Sequence, residues 1–181
     1  MRVIAGEKRG TKLISLEGKD IRPTTDRVKE SLFNILQWDI EGRLVLDLFA
    51  GSGSLGLEAL SRGAAHAMFV DANAEAVAVI QSNIQKLRFE GKSKIICTDF
   101  QNALKNCKIY DIIFLDPPYQ SNFLDISLDL IYKNVLLSSH GVIICETDKN
   151  KQIHYEGFKI KKEVCYGNTK LCFLELGGID G

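Results

Sequence analysis

The sequence offers little that would place it in a membrane, an oxidising compartment or a metal-dependent class. Its uninterrupted apolar runs, such as Ile112–Leu115, fall far short of the roughly 18 residues of a membrane span. No apolar signal region follows Met1-Arg2-Val3-Ile4, so a cytoplasmic location is expected. The five cysteines are odd in number, form no Cys-x-x-Cys pair and lie mostly in strand-like runs, where a thiol packs as a small apolar group. No disulfide framework is implied. His66, His140 and His154 are far apart, and no metal site is expected. Internal repeats, low-complexity tracts and linkers are absent. With 181 residues and 45% hydrophobic content, a single domain over 1–181 is expected: an amino-terminal extension at 1–20, a core at 21–176 and a frayed tail at 177–181.

Excess charge is also lacking, with 23 Lys/Arg against 23 Asp/Glu. The balance hides a pattern. Residues 1–30 carry eight basic against five acidic side chains and residues 149–170 six against two, while residues 31–148 carry nine against fourteen. A local basic patch is enough for phosphate contacts, so a neutral total does not exclude a nucleic-acid partner.

Chemistry gathers in Asp116-Pro117-Pro118-Tyr119, which follows the apolar run Tyr110–Leu115. Such a run reads as a buried strand. Two prolines cannot donate to a sheet ladder, so the strand ends there with unpaired carbonyls beside the Asp116 carboxylate. That is a set of acceptors suited to the protons of an exocyclic amine on a nucleobase, and Tyr119 adds a flat face. A strand-ending turn with an incidental acid is the alternative. A second buried-strand pattern, Leu44–Ala50, runs into Gly51-Ser52-Gly53-Ser54-Leu55-Gly56 and then a helix-like stretch. Strand, glycine turn and helix together let a backbone approach a nucleotide closely. Asp71 lies twenty residues past Gly51 at the end of the next apolar run, where an acid can accept from ribose hydroxyls.

In their order, Asp47-Leu48-Phe49-Ala50-Gly51-Ser52-Gly53, Asp71, Asp99 and Asp116-Pro117-Pro118-Tyr119 resemble the S-adenosylmethionine-dependent methyltransferases that modify exocyclic amines. The stretch Arg22-Pro23-Thr24-Thr25-Asp26-Arg27-Val28-Lys29-Glu30-Ser31-Leu32-Phe33-Asn34 narrows the likeness to the bacterial 16S ribosomal RNA guanine-N2 methyltransferase family, from Met1 to about Leu176. The resemblance implies an α/β, Rossmann-like class I methyltransferase fold: a mostly parallel seven-stranded sheet with an antiparallel C-terminal strand, here with an N-terminal β-hairpin extension. It implies S-adenosylmethionine as cofactor, held by Asp47, Phe49, Gly51, Ser52, Gly53, Asp71, Asp99 and Phe100, with Asp116, Pro117, Pro118 and Tyr119 as the catalytic turn. Asp71 is aspartate where glutamate is also common, one methylene shorter with the same chemistry. The implied partner is small-subunit ribosomal RNA or an assembling small subunit, met by a monomer.

Elsewhere, Arg2–Gly6 and Thr11–Ser15 read as a hairpin whose basic tip projects Lys8, Arg9 and Lys12 toward RNA. A helix follows, capped by Thr24 or Thr25, with Val28, Leu32, Ile35 and Leu36 on one face. On the resemblance its Arg27, a further expected RNA contact, and Glu30 lie near the cofactor edge; otherwise they are exposed helix charges. Helix is expected over 74–87, strand over 94–98, helix over 123–137, strand over 141–146, and a hairpin of 158–166 and 170–176. The expected reaction is methyl transfer to the N2 amine of a small-subunit guanine. Alternatives are an adenine-N6 or cytosine-N4 DNA methyltransferase, a nucleotide-binding oxidoreductase and a catalytically silent RNA-binding module.

Overall fold

Val45, Leu46 and Ile112–Leu115 have no polar side to turn to water, and in the structure both faces of their strands are covered. The structure, a computed structural model, describes residues 1–16, 25–119 and 121–178. In chain order its elements are α1 (Thr25–Leu36), β1 (Leu44–Asp47), α2 (Ser54–Ser61), β2 (His66–Asp71), α3 (Ala74–Leu87), β3 (Ser93–Cys97), α4 (Phe100–Lys105), β4 (Tyr110–Leu115), α5 (Phe123–Lys133), β5 (Leu137–Asp148), β6 (Phe158–Tyr166) and β7 (Thr169–Leu176). The cap expected from Thr24 or Thr25 rests on side chains outside the described residues, as does Arg22-Pro23-Thr24.

Among the described residues the sheet has seven strands in the order β3-β2-β1-β4-β5-β7-β6. β1 to β5 run parallel, and β7 is antiparallel to both β5 and β6. Alternation along β4 sends Ile112 and Phe114 to the face covered by α1, α2 and α3, and Ile113 and Leu115 to the face covered by α4 and α5. Phe33, Phe69, Phe114 and Phe173 are fully buried in the first of these cores. The strand order reverses between β1 and β4, and a crevice opens there at the carboxyl ends of the strands.

The helix expected to reach 137 ends at Lys133, and β5 begins at Leu137 rather than at 141. No glycine or proline stands between Lys133 and Leu137 to end α5 in sequence, but Tyr110 N–H donates to the Leu136 carbonyl (2.8 Å) and Leu137 pairs with Tyr110, so sheet pairing prevails. The amino-terminal hairpin keeps its path but forms a single antiparallel bridge, Arg2 to Lys12. Its backbone is tied across the hairpin, with Val3 N–H donating to Thr11 O (2.9 Å), Gly10 N–H to Val3 O (2.8 Å) and Leu13 N–H to Met1 O (3.0 Å), and also to helices: Ile4 and Ala5 N–H donate to Glu58 (2.8 and 3.0 Å), Lys8 N–H to Ser61 Oγ (3.0 Å) and Ile14 N–H to Asn83 Oδ1 (2.7 Å). Of the cysteines, Cys145 and Cys172 are buried as expected, whereas Cys97 and Cys165 are exposed.

Candidate active site

β1 ends in Asp47, whose buried Oδ2 accepts the Gly56 N–H (3.0 Å) in the first turn of α2. The carboxylate therefore sits on a helix amino terminus, where negative charge is favoured. Burial is the largest influence on its pKa and pushes it up to about 7; the Gly56 N–H opposes the rise and the Asp71 charge adds to it. The intervening turn needs its glycines. Gly51 has φ +57° and opens on the cleft, where an added Cβ would meet nothing within 4 Å, so the backbone can lie close to a ligand. Gly53, at φ +82°, faces the core instead: a Cβ there would come within 3.3–3.4 Å of Leu57, Ile80 and Phe69.

Asp71, at the end of β2, ties this turn down. Its Oδ2 accepts the Gly51 N–H and its Oδ1 the Asn73 N–H, both at 2.9 Å, and the remaining lone pairs of the carboxylate can accept more. Ser52 is buried, and its carbonyl accepts from Asn83 Nδ2 (3.0 Å). Asp99, after β3, caps α4 by accepting from Asn102 N–H (2.9 Å) and stays exposed. Phe100 packs against Phe49 (centroids 5.3 Å apart) and Phe123 (4.8 Å). Asp47, Phe49, Gly51, Ser52, Asp71, Asp99, Phe100 and Phe123 line one cleft of about 720 Å³, within the usual range for a small-molecule or cofactor site, whereas Gly53, expected to hold the cofactor, does not. Asp116, Pro117 and Pro118 form its wall at the end of β4. Tyr119 stands beside them, half-buried, with its hydroxyl 3.4 Å from both Glu146 Oε1 and Thr169 Oγ1.

The basic residues expected to meet RNA lie elsewhere. Arg9 and Lys12 are exposed on the amino-terminal segment, while Lys8 Nζ rests 5.6 Å from the centre of the Phe89 ring. Arg27 and Glu30 are exposed on α1; among the described residues α1 presents Val28, Lys29 and Leu32 to the cleft. Lys29 is only 4% exposed and reaches Glu58 Oε2 (3.2 Å), Ser54 Oγ (2.9 Å) and the Arg2 carbonyl (2.7 Å). Burial lowers its pKa, with Glu58 opposing. Sequence reading missed this buried pair, although a charge inside the otherwise apolar Leu57-Glu58-Ala59-Leu60 had to find a partner. It also missed Phe123 and Glu146 as cleft residues. No group of three or more possible metal ligands occurs among the described residues. No described helix is long and apolar enough to cross a membrane.

Sheet order, antiparallel final hairpin, glycine turn and the acids closing β1 and β2 define a Rossmann-like class I methyltransferase fold. The chain belongs to the family described as Conserved hypothetical protein 95, whose model matches residues 1–175. Ribosomal RNA small subunit methyltransferase D of Haemophilus influenzae is 38% identical over 92% of this chain and 89% of its own length. A candidate rRNA methyltransferase of Bacillus subtilis, YlbH, is 41% identical over 84% of this chain and 85% of its own. The solved structure of the candidate methyltransferase yhhF from Escherichia coli superposes with a TM-score of 0.87 at 31% identity, covering 97% of each chain.

Proposed function

We propose that this protein methylates ribosomal RNA of the small subunit, and that its target is the N2 amine of a guanine. The observation that carries the reading is the shared cleft: the Asp71 and Phe100 end, suited to an adenosine, lies in one cavity with the Asp116 turn, suited to an amine. The relatives named for small-subunit ribosomal RNA methylation support the RNA substrate.

When bound, S-adenosylmethionine would supply a methyl group on a sulfonium: the C–S electron pair would stay on sulfur, and the amine, made acidic by the new N–C bond, would release one proton to solvent. The residues present fit this group. Asp71 would accept from ribose hydroxyls, Phe100 and Phe123, packed on each other, would offer one apolar wall for the adenine, Asp99 would meet its amine, and Gly51 would leave room for close backbone approach. The Asp47 carboxyl, with its pKa near 7, is favoured in its ionised form by a cationic ligand. Asp116 and the carbonyls of the Pro117-Pro118 turn grip the amine protons and turn the nitrogen lone pair into the cleft. Holding reactants in line supplies up to roughly 7–11 kcal/mol of the barrier reduction. Extruding a base costs a few kcal/mol and stacking on Tyr119 returns about 1–3 kcal/mol, so phosphate contacts must hold the RNA.

Labelled cofactor and hypomethylated small-subunit particles test the reading. Label on a guanine of the small-subunit RNA is expected; label on adenine, on cytosine or on DNA sinks it. Asp71→Ala should weaken cofactor binding by about 1–3 kcal/mol, as for a charge-assisted hydrogen bond. Because Asp71 also holds the Gly51 N–H, Asp71→Asn should recover part of the loss. Wild-type affinity for Asp71→Ala in calorimetry would remove Asp71 from the site. Replacing Lys8, Arg9 and Lys12 by Ala should weaken RNA binding and flatten its salt dependence, since phosphate contacts release counterions. An unchanged slope would move the RNA track elsewhere, to Lys159, Lys161 and Lys162 on exposed β6.

A further inference from the structure

We infer that Glu146, on β5, reads the N1–H of the target guanine and is the residue that separates guanine from adenine and cytosine. The inference rests on the proposed guanine-N2 reaction and names the specificity determinant within its site.

Three observations carry it. First, β4 and β5 run parallel with Leu115 beside Cys145, so one further step along each strand brings Asp116 beside Glu146. Second, Leu115 and Cys145 pack into the core covered by α4 and α5, so alternation turns the next residue of each strand to the α1 side. Asp116 and Glu146 line the same cleft there, with Val28 and Leu32 of α1. Third, the Tyr119 hydroxyl, from the same turn as Asp116, donates to Glu146 Oε1 at 3.4 Å and steadies it.

Two neighbouring carboxylates offer acceptors only. Guanine presents a continuous row of donors to such a pair, the two protons on N2 and the one on N1. With Asp116 and the turn carbonyls on the amine, Glu146 takes N1–H. Adenine and cytosine carry a similar exocyclic amine, but the adjacent ring nitrogen, N1 or N3, is a bare acceptor. A carboxylate facing it meets a lone pair, and a buried acceptor is left without a donor. A site built on hydrogen bonds rejects an analogue that lacks the donor far more strongly than a shape-matched apolar pocket does. Asp116 alone, gripping only the amine, has no means of making this distinction.

The test uses small-subunit RNA assembled by ligation, with either guanine or 2-aminopurine at the position mapped by label transfer. 2-Aminopurine keeps the C2 amine and lacks N1–H. Wild-type protein, Glu146→Gln and Glu146→Ala are compared in single-turnover methylation at saturating cofactor. The quantity read is the guanine to 2-aminopurine rate ratio, in which intrinsic reactivity cancels between proteins. Glu146→Gln keeps an amide oxygen that accepts N1–H and gains an N–H that meets a bare ring nitrogen, so it should lower the ratio through faster 2-aminopurine methylation; in Glu146→Ala the ratio should fall by roughly 5- to 150-fold, the discrimination carried by one well-formed base contact. In Glu146→Ala most of the change should come from slower guanine methylation, and both variants should hold cofactor affinity and melting temperature. Glu146→Asp, which keeps the acceptors one methylene further back, should recover part of the ratio. An unchanged ratio in folded Glu146→Ala overturns the assignment while leaving guanine methylation standing. Should wild-type protein label a base other than guanine, the reaction and the assignment fall together.

Discussion

Asp116→Ala is expected to lose most methyl transfer, by at least about a hundredfold, while the fold and cofactor affinity stay near wild type. The change removes an acceptor from the cleft wall and takes nothing from either core. Catalysis at such a site is mainly positioning, and a misplacement of about 1 Å is enough for a hundredfold loss. Tyr119→Ala should lose the stacking contribution of about 1–3 kcal/mol, and Tyr119→Phe should cost less because it keeps the ring. Single-turnover methylation beside thermal melts separates these outcomes. Wild-type rates in Asp116→Ala, or early melting of all these variants, would make the turn scaffolding.

The largest loss of stability is expected for Glu58→Ala. Glu58 is fully buried on α2 and accepts from Ile4 N–H, Ala5 N–H and Arg62 Nε (2.9 Å) while pairing with Lys29. Removing it strands a buried ammonium and the N–H groups of the amino-terminal segment. Breaking a buried pair from one side costs about 3–5 kcal/mol, which in a chain of this size lowers the melting temperature by roughly 6–20 °C. Replacing Lys29 and Glu58 together with Met and Leu should cost less than Glu58→Ala, since no charge is left alone. Met1 and Leu16 line the cleft, so Glu58→Ala should also make the amino-terminal segment easier to cleave in limited proteolysis. A melting temperature within 2 °C of wild type, against the minimum fall of roughly 6 °C, would show that the pair carries no stability.

The parts of this molecule that sequence reading reached are those whose cause is local. A strand buried on both faces writes itself as an unbroken apolar run, and a turn needing positive φ writes itself as glycine, so β1, β4 and the Gly51 turn were legible. Gly167-Asn168-Thr169, between the strand-like runs 158–166 and 170–176, likewise marked the β6–β7 hairpin. What escaped depends on partners distant in the chain. Lys29 and Glu58 meet across 29 positions, and Arg27 and Glu30, their neighbours in α1, had the same charges in sequence but face solvent. The start of β5 was hidden because no glycine or proline ends the helix between Lys133 and Leu137, and the strand that Leu137 pairs with, at Tyr110, lies far back in the chain. Phe123 and Glu146 join the cleft only through the sheet order, which brings the carboxyl ends of β4 and β5 side by side. The hairpin expected at the amino terminus is present, with Val3, Gly10 and Leu13 N–H bonded across it; its further anchorage to Glu58, Ser61 and Asn83 on α2 and α3 depends on partners distant in the chain.

The central claim, methyl transfer to guanine N2, is tested most directly by nucleoside mass spectrometry. Hypomethylated small-subunit particles are incubated with deuterium-labelled S-adenosylmethionine and either the wild-type protein or Asp116→Ala, and the RNA is digested to nucleosides. The account predicts one labelled product, N2-methylguanosine, formed by the wild-type protein and nearly absent with Asp116→Ala. Labelled N6-methyladenosine or N4-methylcytidine, or equal labelling by both proteins, would contradict it.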